Sequence, residues 1–232
     1  MARLSPAPRA AKAAPDWSLV RRLFRAGARF VAGVDEVGRG AWAGPVAVGI
    51  AVVDISCLAR VPAGVRDSKE LSQQAREALY APLASWCPAF ALGEASALEC
   101  DELGMTGAQG LATARALGAL KVRPDVLVVD GRFNYTADAR ARMVVGADAS
   151  CLVVAAASVL AKVHRDRFMM EAASEYPSYG FERNKGYASL EHRRAVALHG
   201  LCALHRRSWS VRALSTGELA LSPDQDLDPP GR

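Results

Sequence analysis

The sequence predicts an α/β fold in which a mixed central sheet is flanked by helices and followed by a helical C-terminal portion. Three observations carry this. Short, β-branched apolar runs recur at residues 30–34, 45–53 and 126–129. Between them lie longer stretches whose apolar residues are spaced by four, as on one face of a helix. Beyond residue 152 the pattern is helical.

Asp16 is placed to cap a short first helix with Trp17, Val20 and Phe24 on one face and Gly27 as its stop. Residues 30–34 read as a strand. Residues 45–53, PVAVGIAVV, read as a second one, apolar at nearly every position and so buried on both faces. A turn at residues 66–69 precedes a helix that opens near Ser72 and carries Ala75, Leu79 and Leu83; Pro82 should kink or end it. Residues 90–95 form a short strand. Thr106 and Gln109 have the spacing of a capping box for a helix bearing Leu111, Ala114, Leu117 and Leu120, closed by Pro124. Residues 126–129 make a buried strand ending at Asp130-Gly131, and residues 143–145 another, ending near Asp148. A long helix spans residues 152–170, apolar nearly all round in its first half and therefore central. A last helix begins at Ser189 and stops before Gly200.

The chain has 232 residues, enough for one substantial core, with a net charge of +5 and 23% charged residues. That excess of positive charge is compatible with a polyanionic partner without identifying one. No apolar run has the length of a membrane span. The five cysteines are odd in number, scattered and without a C-x-x-C pair, which fits reduced thiols in a cytoplasmic protein. The four histidines lack the spacing of a zinc protease. Residues 1–15 are basic, rich in alanine and proline, and free of acids before the Asp at 16; they fit a disordered arm better than a transit peptide, and lack the apolar stretch of a secretory signal. The domain reading is a basic, partly disordered extension over 1–28, a catalytic unit over 29–214 and a flexible tail over 215–232.

On this map the acids fall at strand ends. Asp35 and Glu36 end the first strand, Asp130 ends a buried strand, and Asp148 follows another, eighteen residues later. Like charges gathered at one sheet edge resist ionisation unless cations lie among them. Hard carboxylate oxygens select Mg²⁺ or Mn²⁺. Adjacent strand residues point to opposite faces, so Asp35 and Glu36 share a site only if the strand has ended or one of them uses its backbone carbonyl. Residues 38–43, GRGAWA, also match the G-x-G-x-x-A dinucleotide fingerprint. The fingerprint should open a helix; here Gly44-Pro45 and a strand follow, the neighbouring acids would repel a pyrophosphate, and no acid sits at the tip of a second parallel strand about twenty residues on.

With V-D-E-V-G-R-G-x-x-x-G-P-V (34–46), D-S-K-E-L-S (67–72), V-V-D-G (128–131), A-A-A-S-V-L-A-K-V-H-R-D (155–166), Y-G-F-x-x-x-K-G-Y (179–187) and H-R-R-S-W (205–209) in order, the chain resembles the ribonuclease HII family over roughly residues 30–212. The arginine in G-R-G favours this branch over ribonuclease HIII. The resemblance implies a ribonuclease H-like fold with a C-terminal helical extension. It implies hydrolysis of RNA paired with or embedded in DNA, including cutting on the 5′ side of a single ribonucleotide to leave 3′-hydroxyl and 5′-phosphate ends.

Asp35, Glu36, Asp130 and Asp148 would then hold two Mg²⁺ or Mn²⁺ ions and be the catalytic residues. Gly38, Arg39 and Gly40 would read the ribose 2′-hydroxyl, and Tyr187 would stack on the sugar of the following deoxynucleotide. Lys69, Ser158 and Lys162 are candidate phosphate contacts, and Arg193-Arg194 and Arg206-Arg207 candidate contacts to the duplex backbone. Asp166 is assigned a structural pairing with an arginine. Before Asp148 the chain reads V-G-A-D-A, where the family often has lysine or a second glycine. The implied protein is a cytoplasmic monomer with no membrane partner. The alternatives are a hybrid-binding protein of the same fold that does not cut and, more remotely, a dinucleotide-binding oxidoreductase.

Overall fold

β-branched residues crowd the strand segments, and the computed structural model, which describes residues 14–208, assembles them into one sheet in the order β3-β2-β1-β4-β5. The strands are β1 (Val31–Val37), β2 (Val46–Val53), β3 (Ala89–Ala95), β4 (Val126–Asp130) and β5 (Ala141–Val144). β1–β2 and β2–β3 pair antiparallel, β1–β4 and β4–β5 parallel, so the sheet is mixed as the sequence predicts. Every residue of β2 is buried, in line with its unbroken apolar run.

The helices are α1 (Ser18–Arg25), α2 (Gln73–Trp86), α3 (Ala97–Ala119), α4 (Ala147–Ser150), α5 (Leu152–Glu175), α6 (Phe181–Asn184) and α7 (Leu190–His199). α5 lies against one sheet face, sharing a core with Val31, Ala51, Val53 and Val128 and with Val20, Leu79 and Leu83 of α1 and α2. α3 covers the other, against Ala32, Val34, Ile50 and Val129. Small residues let both helices sit close. A Cβ on Gly33 or Gly49 would come within 2.3 or 2.5 Å of α5 carbonyl oxygens, and one on Gly93 within 2.0 Å of the Ala112 carbonyl oxygen. A third cluster, with Met169, Tyr179, Phe181 and Val196, packs the C-terminal helices onto the far end of α5.

Several elements differ from expectation for identifiable reasons. α1 starts at Ser18, whose backbone N–H and hydroxyl both donate to Asp16, and its Trp17 packs on Trp86 with ring centroids 5.7 Å apart. α2 does not end at Pro82. Ala78, whose carbonyl loses its partner, is exposed like Pro82 itself, so that carbonyl faces solvent, while Leu79 and Leu83 stay buried and the apolar stripe continues. The capping box is not Thr106/Gln109 but Ser96/Glu99, ten residues earlier; α3 then breaks at Gly104 (φ 68°, ψ 169°) before the segment that the sequence marks as helical. β1 runs on to Val37, so Asp35 and Glu36 lie within it. The readings for residues 1–13 and 209–232, the N-terminal arm and the C-terminal tail with Trp209, lie outside the described residues.

Candidate active site

The site is built by strand register. β1 and β4 run parallel with Val34 opposite Val129 as the last pair, so Asp35 and Asp130, one residue further on each strand, are neighbours at one sheet edge. Both project from the face that α5 covers, because Val31 and Val128, two or four residues earlier, do so. The one-turn helix α4 is tied to the same point: the Ala147 N–H donates to Asp130 Oδ1 at 2.7 Å, and Asp148 follows directly, buried. Three acids distant in sequence therefore meet at one corner.

Glu36 points to the opposite face, as strand alternation demands. There the buried hydroxyl of Tyr135 lies near it and favours its ionised form, although among the described residues that oxygen has no well-aligned hydrogen bond. Glu36 also donates its backbone N–H to Asp35 Oδ1 at 2.9 Å. Burial raises Asp35 well above the usual carboxylate range, with Glu36, Asp130 and Asp148 adding repulsion and a hydrogen bond from Ser158 opposing it. Burial first, then Asp130, raises Glu36; burial first, then Asp148, raises Asp130.

Among the described residues no three His, Cys, Asp or Glu side chains already stand in the close arrangement of a metal cage. The carboxylates are instead engaged individually: Asp35 by the Glu36 N–H, Asp130 by the Ala147 N–H, and Asp148 by Lys69, whose Nζ lies 2.9 Å from Oδ2. The donor set nonetheless fits a divalent cation in kind. It is all hard oxygen, and its mutual repulsion is what such a cation relieves.

The predicted contact residues divide. Lys69 is an exposed ammonium whose pKa burial lowers but Asp148, with Asp67 and Asp35 behind it, raises on balance. Ser158 is buried beneath Asp35, its hydroxyl 2.9 Å from that of Ser68, so it supports the acid from inside rather than facing a phosphate. Lys162 pairs with Asp166 at 2.8 Å, and Arg76 stands 3.5 Å from the same carboxylate, which gives Asp166 the arginine pairing expected of it.

Arg39 and Gly40 are exposed directly beyond β1, and Gly38 takes φ 86°, which glycine adopts without strain. Tyr187 is half-buried beneath Lys162 Nζ at 5.6 Å and the Arg165 guanidinium at 5.4 Å from its ring centroid. The turn before it is stitched to the loop: the Trp42 and Ala43 N–H groups donate to the Gly186 carbonyl at 2.8 and 3.2 Å.

A sequence model of the family Ribonuclease HII matches residues 32–212. The chain belongs to the ribonuclease HII family. A ribonuclease HII of Streptomyces griseus subsp. griseus is 50% identical over 202 residues, 84% of each chain. The crystal structure of the ribonuclease H2 from Pyrococcus horikoshii OT3 superposes with a TM-score of 0.69 at 28% identity, covering 81% of this chain and 98% of that one. A ribonuclease HIII, Bst-RNase HIII, whose structure is in complex with Mn²⁺, shares the fold at a TM-score of 0.64 and 19% identity, covering 92% of this chain and 77% of that one. The chain is accordingly a nuclease of the hydrolase class with a ribonuclease H fold. This family membership sets aside the dinucleotide-binding reading. No helix among the described residues is long and apolar enough to cross a membrane.

Sequence reasoning missed the structural part played by the residues that hold this site in shape, and it cast Arg206 as a contact to the duplex backbone, which its full burial against the Gly44 and Arg39 carbonyls rules out. Tyr135 and Ser68 sit beneath the acids, and the buried Arg165, Arg206, His192 and His205 lie behind the loop. An arginine or histidine in a sequence is ordinarily solvated, and only the fold reveals that these four are enclosed.

Proposed function

We propose that the chain is an endoribonuclease that hydrolyses the RNA strand of RNA–DNA hybrids and cuts on the 5′ side of single ribonucleotides embedded in duplex DNA, leaving 3′-hydroxyl and 5′-phosphate ends. The observation that carries this is the register that sets Asp35 beside Asp130, with α4, which carries Asp148, tied to Asp130 through the Ala147 N–H and the G-R-G loop leaving the same strand end. An anionic scissile phosphate would not approach such a corner unaided.

Asp35, Asp130 and Asp148 through their carboxylates, and Glu36 through its backbone carbonyl because its side chain leaves β1 on the other face, would hold two divalent ions, Mg²⁺ or Mn²⁺. When bound, these supply an activated water and neutralise the leaving 3′-oxygen. The protein's own part is positional. The Ala147 N–H, Ser158 and the strand register hold the acids in place; Lys69 provides a mobile positive charge at the rim for a neighbouring phosphate. The backbone of residues 38–40 offers donors and acceptors to a 2′-hydroxyl, and Tyr187 offers a flat face on which a deoxyribose fits and a 2′-hydroxyl clashes. The catalytic unit over residues 29–214, monomeric and cytoplasmic, belongs to the same proposal; α1, although assigned to the extension before it, packs into its core through Val20.

The test is a DNA duplex carrying one ribonucleotide, incubated with Mg²⁺ or Mn²⁺ and again with EDTA. Metal-dependent nicking on the 5′ side of that nucleotide is expected. Retention of the duplex without nicking would replace the nuclease by a non-cutting hybrid binder.

A further inference from the structure

Two arginines, Arg165 and Arg206, are fully buried, and neither has a carboxylate partner among the described residues. A desolvated guanidinium without an acid is costly, and a side chain serving only to fill space would not be charged. Their donors all go to backbone carbonyls. Arg165 donates to Pro45 at 2.8 Å, Ala43 at 3.0 Å and Lys185 at 2.9 Å, bridging the segment after the G-R-G loop to the residue two before Tyr187. Arg206 donates to Gly44 through Nε at 3.1 Å and Nη2 at 2.9 Å, and to Arg39, inside the G-R-G loop, at 3.1 Å. Glycine makes room for these forks: a Cβ on Gly38 would lie 2.2 Å from Arg165 Nε.

A second chain of bonds reaches Tyr187 from the same C-terminal segment. The Cys202 N–H donates to His205 Nδ1 at 3.0 Å, His205 Nε2 lies 3.0 Å from His192 Nε2, and His192 Nδ1 lies 2.8 Å from the Tyr187 carbonyl. The two ends fix the protons. His205 accepts at Nδ1 and so donates from Nε2, while His192 must donate from Nδ1 to a carbonyl and so accepts at Nε2. Both rings are neutral and each has one orientation that satisfies the chain. Residues 205 and 206 thus hold Tyr187 through one neighbour and the G-R-G loop through the other, and the Arg206 N–H adds a bond to the Trp42 carbonyl at 2.8 Å.

We propose that Arg165, Arg206 and the His205–His192 relay are positioning residues that set the distance between residues 38–40 and Tyr187, and that this distance selects the ribose–deoxyribose step at which the strand is cut. The inference rests on the ribonuclease reading above. None of these side chains touches the acids, so their effect falls on selectivity rather than on the chemical step itself.

The test compares the full chain with Arg206→Lys, which keeps the charge but cannot serve Gly44 and Arg39 together. Single-turnover rates are measured on two duplexes, one with a ribonucleotide followed by DNA and one with a ribonucleotide followed by another. Thermal unfolding is followed in parallel. The junction-to-continuous rate ratio is expected to fall on the order of tenfold, since small misplacements of a bound substrate have large rate costs. In a Tyr187→Ala background the same substitution should leave the ratio unmoved, because the element it positions is gone. Equal loss on both duplexes, or an unchanged ratio, would mean a structural role only and overturn the inference. Should Arg206→Lys not fold, His205→Gln, which breaks the relay from its other side, is subject to the same two outcomes. Absence of nicking by the unaltered chain would instead remove the ribonuclease reading, so the two failures are distinguishable.

Discussion

The ammonium of Lys69 stands 2.9 Å from Asp148 Oδ2, although 79 residues separate them in the chain. It is a single positive charge on the rim of an acidic corner, and it can turn toward either a carboxylate or a phosphate. Lys69→Ala should therefore have two opposite effects. Divalent ions should be needed at lower concentration, because the corner becomes more negative. Substrate should bind more weakly, with the log–log salt dependence of its affinity flattened by roughly one unit if one phosphate contact is lost. Metal titration of nicking and a filter-binding salt series check both; an unchanged salt slope would exclude the phosphate contact.

Asp35→Asn and Asp130→Asn should each reduce cutting by at least about 10²-fold, on the scale of removing one preorganised electrostatic group from a site, while leaving duplex binding largely intact. Asp35→Asn should also stabilise the fold. Burial and neighbouring acids raise its folded pKa, so at neutral pH the charged form burdens the folded state and not the unfolded one. The melting temperature should rise by roughly 2–4 °C for each kcal/mol relieved in a chain of this size. A lower melting temperature together with near-normal turnover would contradict both roles.

Acid should weaken the C-terminal helical layer before the rest. Burial, then the neighbouring His192, pushes His205 down to about 4, and burial also lowers His192. Between an unfolded value near 6.5 and these folded values the unfolded chain binds more protons, so acid favours unfolding. The stabilisation is complete above about pH 6.5 and is lost as pH falls toward 4, amounting to roughly 3 kcal/mol for His205 at 1.4 kcal/mol per unit. Denaturant midpoints of the unaltered chain and His205→Gln across this window provide the check: the variant's curve should be flatter.

Gly93→Ala should destabilise by about 1–3 kcal/mol or more, because its Cβ would meet the Ala112 carbonyl oxygen at 2.0 Å and α3 must move away. Urea unfolding at constant m measures it; a change under about 0.5 kcal/mol would show that α3 shifts freely.

Much of this architecture is legible in the sequence because the signals are local. The β-branched apolar run at 45–53 reads as a buried strand and is one, and Ser189 and Gly200 bracket α7 as their chemistry requires. The expectation for Asp35 and Glu36 rested on the period of a strand, and the structure shows that period at work, with the two acids on opposite faces of β1. Legibility fails where the deciding contact is distant. Thr106 and Gln109 have the spacing of a cap, but Gly93 and the β3 edge settle where α3 packs, and its true cap is Ser96. Ser158 reads as a phosphate contact on a helix until Ser68, 90 residues away, closes over it. The buried arginines stand in the quoted motifs, yet no pattern tells that they are enclosed, since their partners are main-chain carbonyls that every residue possesses.

β1 is flanked by a hydrogen-bonded strand on either side. The amides of residues 31–34, which lead into Asp35, consequently have no low-energy route to solvent and should exchange only through whole-molecule opening. A destabilising change elsewhere in the chain will then thin the population of competent molecules without blurring the geometry of those that survive. Lost activity from such a change should be recoverable by cooling or by adding ligand, whereas damage at the strand end itself should not.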